Sequence, residues 1–517
     1  VSVRSKVEFG DFQTPDVLAK EVCGLLVRLG ESPDLVIEPT AGRGAFLVAA
    51  AEAFPSSVLK GFEINPDYVA EAGERLAKAA VASRSIVECR DFFTHDWDTE
   101  LATDGKRLLL LGNPPWVTSA GVAAVNGTNL PTKENLQGLR GIAARTGKAN
   151  FDISEWMLIR LLRALHGRPA SLAMLCKTAT ARKFLRYAWR NEGHVETASI
   201  YRIDAAGHFD ASVDACLLYL RTGRDGPEEV DVYASLSDLR PVIRIGLECD
   251  EWVADIRGYR ALKQLEGVCP FRWRSGVKHD CAAVMELHGT TDGAIENSEG
   301  DRLVLEPDYV YPFLKCSDLA NARTAPTRLV VVTQRFVGDD TSVIEGVAPK
   351  TWEYLQRHRA RFEARKSSIY RGRVAFSLFG IGEYAFSPWK VAVSGLHRSL
   401  RFQLVGPIGG KPVFFDDACY YLSFDSESVA RAVLDMLNSP ICQRFLNTLV
   451  FPDAKRPITV DLLQRLNLAM IADSAGLGER WRSIQKTHYN MSECVPQMEL
   501  LMEGGSMPKR SVDQVID

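Results

Sequence analysis

The chain has 517 residues, 46% of them apolar and 25% charged, a mixture that can bury large cores and is unlike a disordered or membrane-embedded chain. At roughly 100 to 200 residues per domain, this length predicts at least two domains. A net charge of −3 excludes a globally basic nucleic-acid binder, so any phosphate-binding surface must come from local clustering of basic side chains.

The amino-terminal stretch VSVRSKVEFGDF lacks the apolar core of a signal peptide, and no run approaches the roughly 18 uninterrupted apolar residues of a membrane span. The expectation is a cytosolic protein with no membrane contact. The 11 cysteines are scattered singly without a CxxC pair, which predicts reduced, buried thiols and no metal site.

From Val17 to about Leu220, apolar runs alternate with helical patterns: LVIEP, the helix-like GAFLVAAAEAF, VLKGFEI, the helix-like YVAEAGERLAKAA, SIVEC and RLLLLGNPP. That rhythm predicts successive βαβ units, hence an α/β domain with a mostly parallel, Rossmann-like sheet. Ile153 to Leu165 reads as an amphipathic helix, SLAMLC and CLLYLRT as further strands. The charged, Gly- and Pro-containing RTGRDGPEE marks the edge of this domain, although VDVYASL could add one more strand. The boundary is placed near Arg240, giving a first domain of residues 1–240. The remainder, 241–505, reads as α+β, with RLVVVTQRF, VAFSLFGIG, KVAVSGL and PVFFDDACYYLSF as strands. Residues 506–517 are polar and read as a flexible tail.

Leu35 to Leu47 combines a buried strand, the Gly42-Arg43-Gly44 turn and the start of a helix. Glycines let backbone approach a ligand where a Cβ would clash, and open α/β sheets place ligands at strand carboxyl ends. About twenty residues on, VLKGFEI ends a second strand on Glu63, where dinucleotide folds place an acid for ribose hydroxyls. SIVEC is followed by Asp91 and Phe92, a carboxylate and an apolar wall at the same edge. Position 47 is Leu where a Gly-x-Gly-x-x-Gly loop has its third glycine, which disfavours a nicotinamide cofactor. The fourth strand stops at Asn113-Pro114-Pro115-Trp116. Two consecutive prolines cannot donate to a sheet and fix the backbone, a rigidity suited to holding Asn113 and the Pro114 carbonyl as a clamp. Trp116 offers a flat apolar face.

In this order the motifs resemble those of the class I S-adenosylmethionine-dependent methyltransferases, and specifically the gamma-class, TaqI-like N6-adenine DNA methyltransferases. The resemblance adds Phe12-Gln13-Thr14-Pro15, Phe151-Asp152-Ile153-Ser154 and Gly207-His208-Phe209-Asp210. It implies S-adenosylmethionine as cofactor, held by Thr14, Glu38, Pro39, Gly42, Gly44, Phe46, Glu63, Ile64, Asp91, Phe92 and Asn113. It implies a catalytic set of Asn113, Pro114, Pro115, Trp116 and Phe209, with a flipped adenine stacked on Trp116 and packed from its other face by Phe209. The first domain would then be catalytic and the second a DNA-recognition domain. Tyr311-Pro312-Phe313-Leu314-Lys315, Arg365-Lys366-Ser367-Ser368-Ile369-Tyr370 and Lys455-Arg456-Pro457-Ile458-Thr459 carry the looser similarity there. The implied partners are duplex DNA and a separate cognate restriction endonuclease, with the chain acting as a monomer.

Two basic clusters are the expected phosphate contacts. Lys177, Arg182, Lys183, Arg186 and Arg190 follow one another without an intervening acid, and Lys350 to Arg373 holds eight Lys or Arg, including Arg365 and Lys366, against two glutamates. Trp389 and Lys390 complete the expected DNA-binding set. An RNA or protein-amide methyltransferase is the nearest rival, since Asn-Pro-Pro-aromatic also serves guanine and glutamine amines. No PD-(D/E)xK-like segment points to a fused nuclease.

Overall fold

The computed structural model describes residues 13–103, 105–117, 152–191, 193–211, 213–289, 294–451, 454 and 456–488. Phe12, Phe151 and Lys455 of the motifs above, and the 506–517 segment, lie outside the described residues. The chain divides into two compact units between Ile256 and Arg257.

The first unit is built on one ten-stranded sheet. Helix α1 (Asp16–Arg28) buries Leu18, Ala19, Val22, Leu25 and Leu26, the i, i+3, i+4 stripe of a core-facing helix. It packs on the alanine-rich α2 (Ala45–Ala53), which follows β1 (Leu35–Glu38). Strand β2 (Val58–Glu63) leads into α3 (Pro66–Lys78). The start of α3 is written locally: Asn65 caps it by accepting from the Asp67 amide, Pro66 sits at the first helical position, and Asp67 complements the helix dipole. Then come β3 (Ser85–Cys89), the short α4 (Trp97–Glu100) and β4 (Leu108–Gly112), every residue of which is buried. A strand covered on both faces reads as an unbroken apolar run, as LLLL does here.

Beyond the undescribed stretch come α5 (Ile153–Leu165), β5 (Ser171–Lys177), α6 (Thr178–Arg190), β6 (Val195–Ile203), α7 (Ala205–Phe209), β7 (Ala215–Thr222) and β8 (Glu229–Tyr233). Two last strands, β9 (Ile243–Glu248) and β10 (Glu251–Val253), close the unit. The sheet order is β10-β9-β8-β6-β7-β5-β4-β1-β2-β3. Strands β1 to β5 are parallel, and β7 runs antiparallel between β5 and β6. Chain order reverses between β1 and β4, the switch point at whose carboxyl edge α/β sheets open a crevice.

One feature departs from the sequence reading. The unit does not stop near Arg240: β9 pairs with β8 through Ile243↔Val232 and β10 folds back on β9, so pairing to the sheet carries the chain on to residue 253. The SLAMLC run is strand β5, and helix α6 begins directly after it at Thr178.

One buried polar tie locks the sheet to α1. Glu31 accepts from Ser171 Oγ at 2.9 Å, Tyr219 Oη at 2.5 Å and the Arg221 guanidinium at 2.9 and 3.0 Å. Charge-assisted bonds of this kind are stronger than neutral ones.

The second unit holds two smaller sheets. A six-stranded sheet has the order β14-β13-β12-β16-β15-β19, from Arg302–Leu303, Ile295–Asn297, Glu286–Gly289, Arg328–Val331, Val310–Leu314 and Phe414–Phe415. A four-stranded sheet has the order β11-β20-β17-β18, from Arg274–Ser275, Cys419–Phe424, Trp389–Ser394 and Gln403–Val405. The expected strand VAFSLFGIG is irregular. Apart from an isolated backbone bridge between Phe379 and Lys278, side chains take the place of a ladder: Thr333 Oγ1 donates to the Phe376 carbonyl at 2.8 Å, and the Leu378 amide donates to Gln334 Oε1 at 2.7 Å. Helices Pro349–Arg357, Glu427–Leu437 and Pro440–Leu449 are among those that complete the α+β unit. Among the described residues no helix is long and apolar enough to cross a membrane, and the ten described cysteines are free, most of them buried.

Candidate active site

The carboxyl ends of β1, β2, β3 and β4 surround a cavity of about 480 Å³. Nine of the residues expected to hold a cofactor line it: Thr14, Glu38, Pro39, Gly42, Glu63, Ile64, Asp91, Phe92 and Asn113. Pro115 joins them. Gln13 of the amino-terminal motif and Phe93 beside Phe92 also line it, as do Tyr68 and Met157, which were not singled out in the sequence because each sits on a helix whose facing side only the fold reveals.

The glycine turn is shaped for close approach. Gly42 has φ +50°, and a Cβ there would lie 2.7 Å from Gln13 Oε1. Gln13 Oε1 instead accepts from the Arg43 amide at 3.1 Å, and Arg75 of α3 donates to the Arg43 carbonyl at 3.0 Å. Glu63 is tethered at both oxygens, Oε2 accepting from the Gly42 amide and Oε1 from the Asn65 amide, each at 2.8 Å. A carboxylate offers about four acceptor positions, so this tether is compatible with ligand hydroxyls at the same group. Asp91 Oδ1 accepts from the Phe93 amide at 2.9 Å, which turns the chain and stations Phe92 and Phe93 on the cavity wall.

Glu38 is the most perturbed of these acids. It is 3% exposed, and its Oε2 has no hydrogen-bond partner among the described residues. Burial lifts its pKa well above the ordinary glutamate range, the Leu47 amide opposes that rise, and the neighbouring Glu63 charge adds to it. A buried carboxyl oxygen lacking a donor, with Glu63 and Asp91 around the same space, fits a cationic ligand rich in donors. Ile64, Phe92 and Phe93 offer the apolar surface for a flat ring.

At the end of β4, Asn113 is held from two sides. Its side-chain Nδ2 donates to Thr14 Oγ1 at 3.2 Å, and Thr40 Oγ1 donates to its main-chain carbonyl at 3.5 Å. With the side-chain nitrogen engaged by Thr14, Oδ1 is the other arm of a side chain that lines the cavity.

Several expected residues lie elsewhere. Gly44 (φ +78°) faces α3: a Cβ there would come 2.9 Å from the Ala72 methyl, so this glycine serves helix packing. Phe46 is fully buried in the core between α2 and the sheet. Pro114 is not among the residues lining this cavity and borders a small void with Met157, Leu158 and Met174. Trp116 is 5% exposed, with its indole N–H donating to the Leu175 carbonyl at 3.3 Å. Its ring meets half-buried Phe209 edge-to-face, centroids 5.0 Å apart, so it is not an open stacking platform here.

Most of the expected phosphate contacts have an acid or a carbonyl of the fold as partner. Lys177 pairs with Asp152 at 2.7 Å, Lys183 with Glu155 at 3.6 Å, and Arg190 with Asp250 at 2.5 Å. Arg186 donates to the Asp250 carbonyl, and Arg182 is 9% exposed. The sequence stretch lacks acids, but β10, its turn and the start of α5 supply them. In the second unit, Arg365 donates to the carbonyls of Phe362, Ser377 and His279 and stacks on Tyr370, its guanidinium 3.6 Å from the ring centre. Lys390 is 1% exposed on the central strand β17, where Nζ donates to the Ser387 carbonyl at 2.8 Å above the rings of Phe414 and Tyr421. Burial lowers its pKa to about 7, and it cannot reach a phosphate. Trp389 is half-buried, and a Cβ on Gly406 would lie 2.5 Å from its ring. Lys366 remains exposed, as do Arg371 and Arg373 nearby.

A parallel sheet that reverses at β1/β4, carries an antiparallel β7 beside β5, and gathers an acid-lined cavity at the switch point defines a class I methyltransferase fold. No family model matches the chain. It is 40% identical over 473 residues, covering 91% of this chain and 98% of the relative, to the type II methyltransferase M.NspV of Nostoc sp. (strain ATCC 29411 / PCC 7524). In structure it is similar to the type IIL restriction-modification enzyme MmeI, solved in complex with DNA, with a TM-score of 0.57 at 12% identity, covering 95% of this chain and 73% of that one. The chain belongs to the type II methyltransferase family, and the protein is a methyltransferase.

Proposed function

We propose that the protein transfers a methyl group from S-adenosylmethionine to the exocyclic N6 amine of an adenine flipped out of duplex DNA. The observation that carries this reading is the shared cavity: the Asn113 amide, oriented by Thr14, borders the same space as Glu38, Glu63 and Asp91. Glu38, with a buried oxygen lacking a donor, suits the methionine ammonium; Glu63 suits the ribose hydroxyls; Asp91 suits the adenine amine of the cofactor, with Ile64 and Phe92 against its ring. Bound there, the cofactor supplies an electrophilic methyl group on a sulfonium.

The chain's task is then to make a poor nucleophile reactive. The N6 lone pair of adenine is delocalised into the ring. Asn113 Oδ1 and the Pro114 carbonyl accept the two N6 hydrogens, which pulls the nitrogen towards tetrahedral geometry and directs its lone pair out of the ring plane. One N6 proton is lost for each methyl gained, and it leaves through these acceptors to solvent. Consecutive prolines keep both acceptors in place. Stacking of the flipped base on Trp116 requires Phe209 to shift from its edge-to-face contact and pack on the other side of the purine.

Duplex DNA as partner is supported by the type II family and by the DNA bound to the fold relative, and the second unit is its reader in this proposal. Exposed Lys350, Lys366, Arg371 and Arg373 are among the basic residues there that are available to phosphates. The same reading gives the protein a separate cognate endonuclease and a monomeric working form. The test is incubation with tritiated S-adenosylmethionine and DNA, RNA or protein, followed by digestion and identification of the labelled product. N6-methyladenine from DNA is expected; label confined to RNA or to glutamine amides would refute the assignment.

A further inference from the structure

Gln13 and Thr14 precede α1 and span two strand ends. Gln13 Oε1 accepts from the Arg43 amide in the loop after β1, and the adjacent Thr14 Oγ1 accepts from Asn113 Nδ2 after β4. The dipeptide thus fastens the glycine turn to the catalytic amide across a sequence distance that no local motif bridges. Pro15 follows directly, with φ −61° and ψ 141°, and fixes the backbone leaving Thr14.

We propose that Thr14 is a positioning residue for methyl transfer, its hydroxyl anchoring the Asn113 amide and limiting the libration of the group that meets the substrate amine. The role rests on the reading of Asn113 given above and is additional to the place of Thr14 on the cofactor cavity wall. An asparagine side chain is nearly symmetric in shape about its terminal torsion, and that torsion is broad and roughly two-fold. A hydroxyl can accept from the amide nitrogen or donate to the amide oxygen, so the bond to Thr14, held by a proline-stiffened backbone, acts by narrowing the libration of the amide.

Thr14→Val keeps the branched shape and removes the hydroxyl; Thr14→Ser keeps the hydroxyl. Cofactor affinity is read by calorimetry, and kcat and KM for the acceptor by tritium transfer, in the full-length chain. The loss of one hydrogen bond of ordinary strength predicts a fall in kcat of about tenfold for Thr14→Val. With kcat read at saturating cofactor, KM for the acceptor should stay within about twofold, and Thr14→Ser should recover most of kcat. A wild-type midpoint of urea unfolding certifies the fold of each variant. The proposal is overturned if Thr14→Val weakens cofactor binding while kcat at saturating cofactor is kept, if kcat does not change, or if Thr14→Ser is as slow as Thr14→Val. The comparison uses whichever acceptor the wild-type protein methylates, so an error over adenine in DNA shows in the wild-type product and not in the Thr14 series.

Discussion

Replacing Glu38 by Gln tests the electrostatics of the cavity most directly. This carboxyl is buried, its Oε2 lacks a donor among the described residues, and burial raises its pKa, with Glu63 adding to the rise and the Leu47 amide and Arg75 opposing it. A carboxyl whose pKa is higher folded than unfolded destabilises the fold when ionised. Stability is therefore lost as pH rises from the ordinary glutamate range through the elevated folded pKa, at about 1.4 kcal/mol for each unit of elevation. A cationic ligand reverses the preference, because it binds the ionised form. Binding should release a proton at pH values between the bound and the free pKa of Glu38, and affinity should fall as pH is lowered below the free one. A hydrogen bond to a charged group contributes about 1.5 to 3 kcal/mol, so Glu38→Gln should weaken cofactor binding by roughly 10- to 150-fold. Calorimetry in two buffers of different ionisation enthalpy measures both the affinity and the proton count, and urea unfolding across pH measures the stability term. Wild-type-like affinity in Glu38→Gln would show that no cation meets this carboxyl. Equal pH dependence of the two proteins would remove the linkage argument altogether.

Three further outcomes follow from the geometry. Asn113→Ala should bind cofactor as the wild type does in calorimetry while turnover falls by about 10² to 10³, the usual effect of losing one oriented polar group at a reacting centre; wild-type turnover would refute the clamp. Arg190→Ala should leave the salt dependence of DNA affinity unchanged, since Arg190 is paired with Asp250. A fall in the slope of log affinity against log salt by about 0.9 would instead identify a phosphate contact. Lys390→Met should leave DNA affinity unaltered and change the pH dependence of stability. With a folded pKa near 7, below that of an exposed lysine, the wild-type fold gains stability as pH rises from 7 towards 10, and the methionine variant should lose that rise. A wild-type pH profile of unfolding in Lys390→Met would contradict the burial.

The motif residues were legible because a parallel sheet converts sequence order into spatial convergence. Each βαβ unit returns its next strand in the same direction, so Gly42, Glu63, Asp91 and Asn113, written at successive strand ends, arrive at one edge. Gly44 and Phe46 belong to the same written motif but point away from the cavity, into α3 and the core, because the chain has already begun to turn into α2.

The sequence by itself therefore determined the sheet, the crevice and the identity of the acids and amide around it. Hydrophobic periodicity and proline and glycine chemistry are local, and they act before any distant residue is placed. Only the tertiary structure decided which charges are available. The acids that neutralise Lys177, Lys183 and Arg190 come from Asp152, Glu155 and Asp250, and Lys390 is buried by the register of β17 between its neighbours. Ion pairing and burial depend on separation in space, which a run of basic letters does not record. The bond from Thr14 to Asn113, between residues 99 positions apart, is of the same kind.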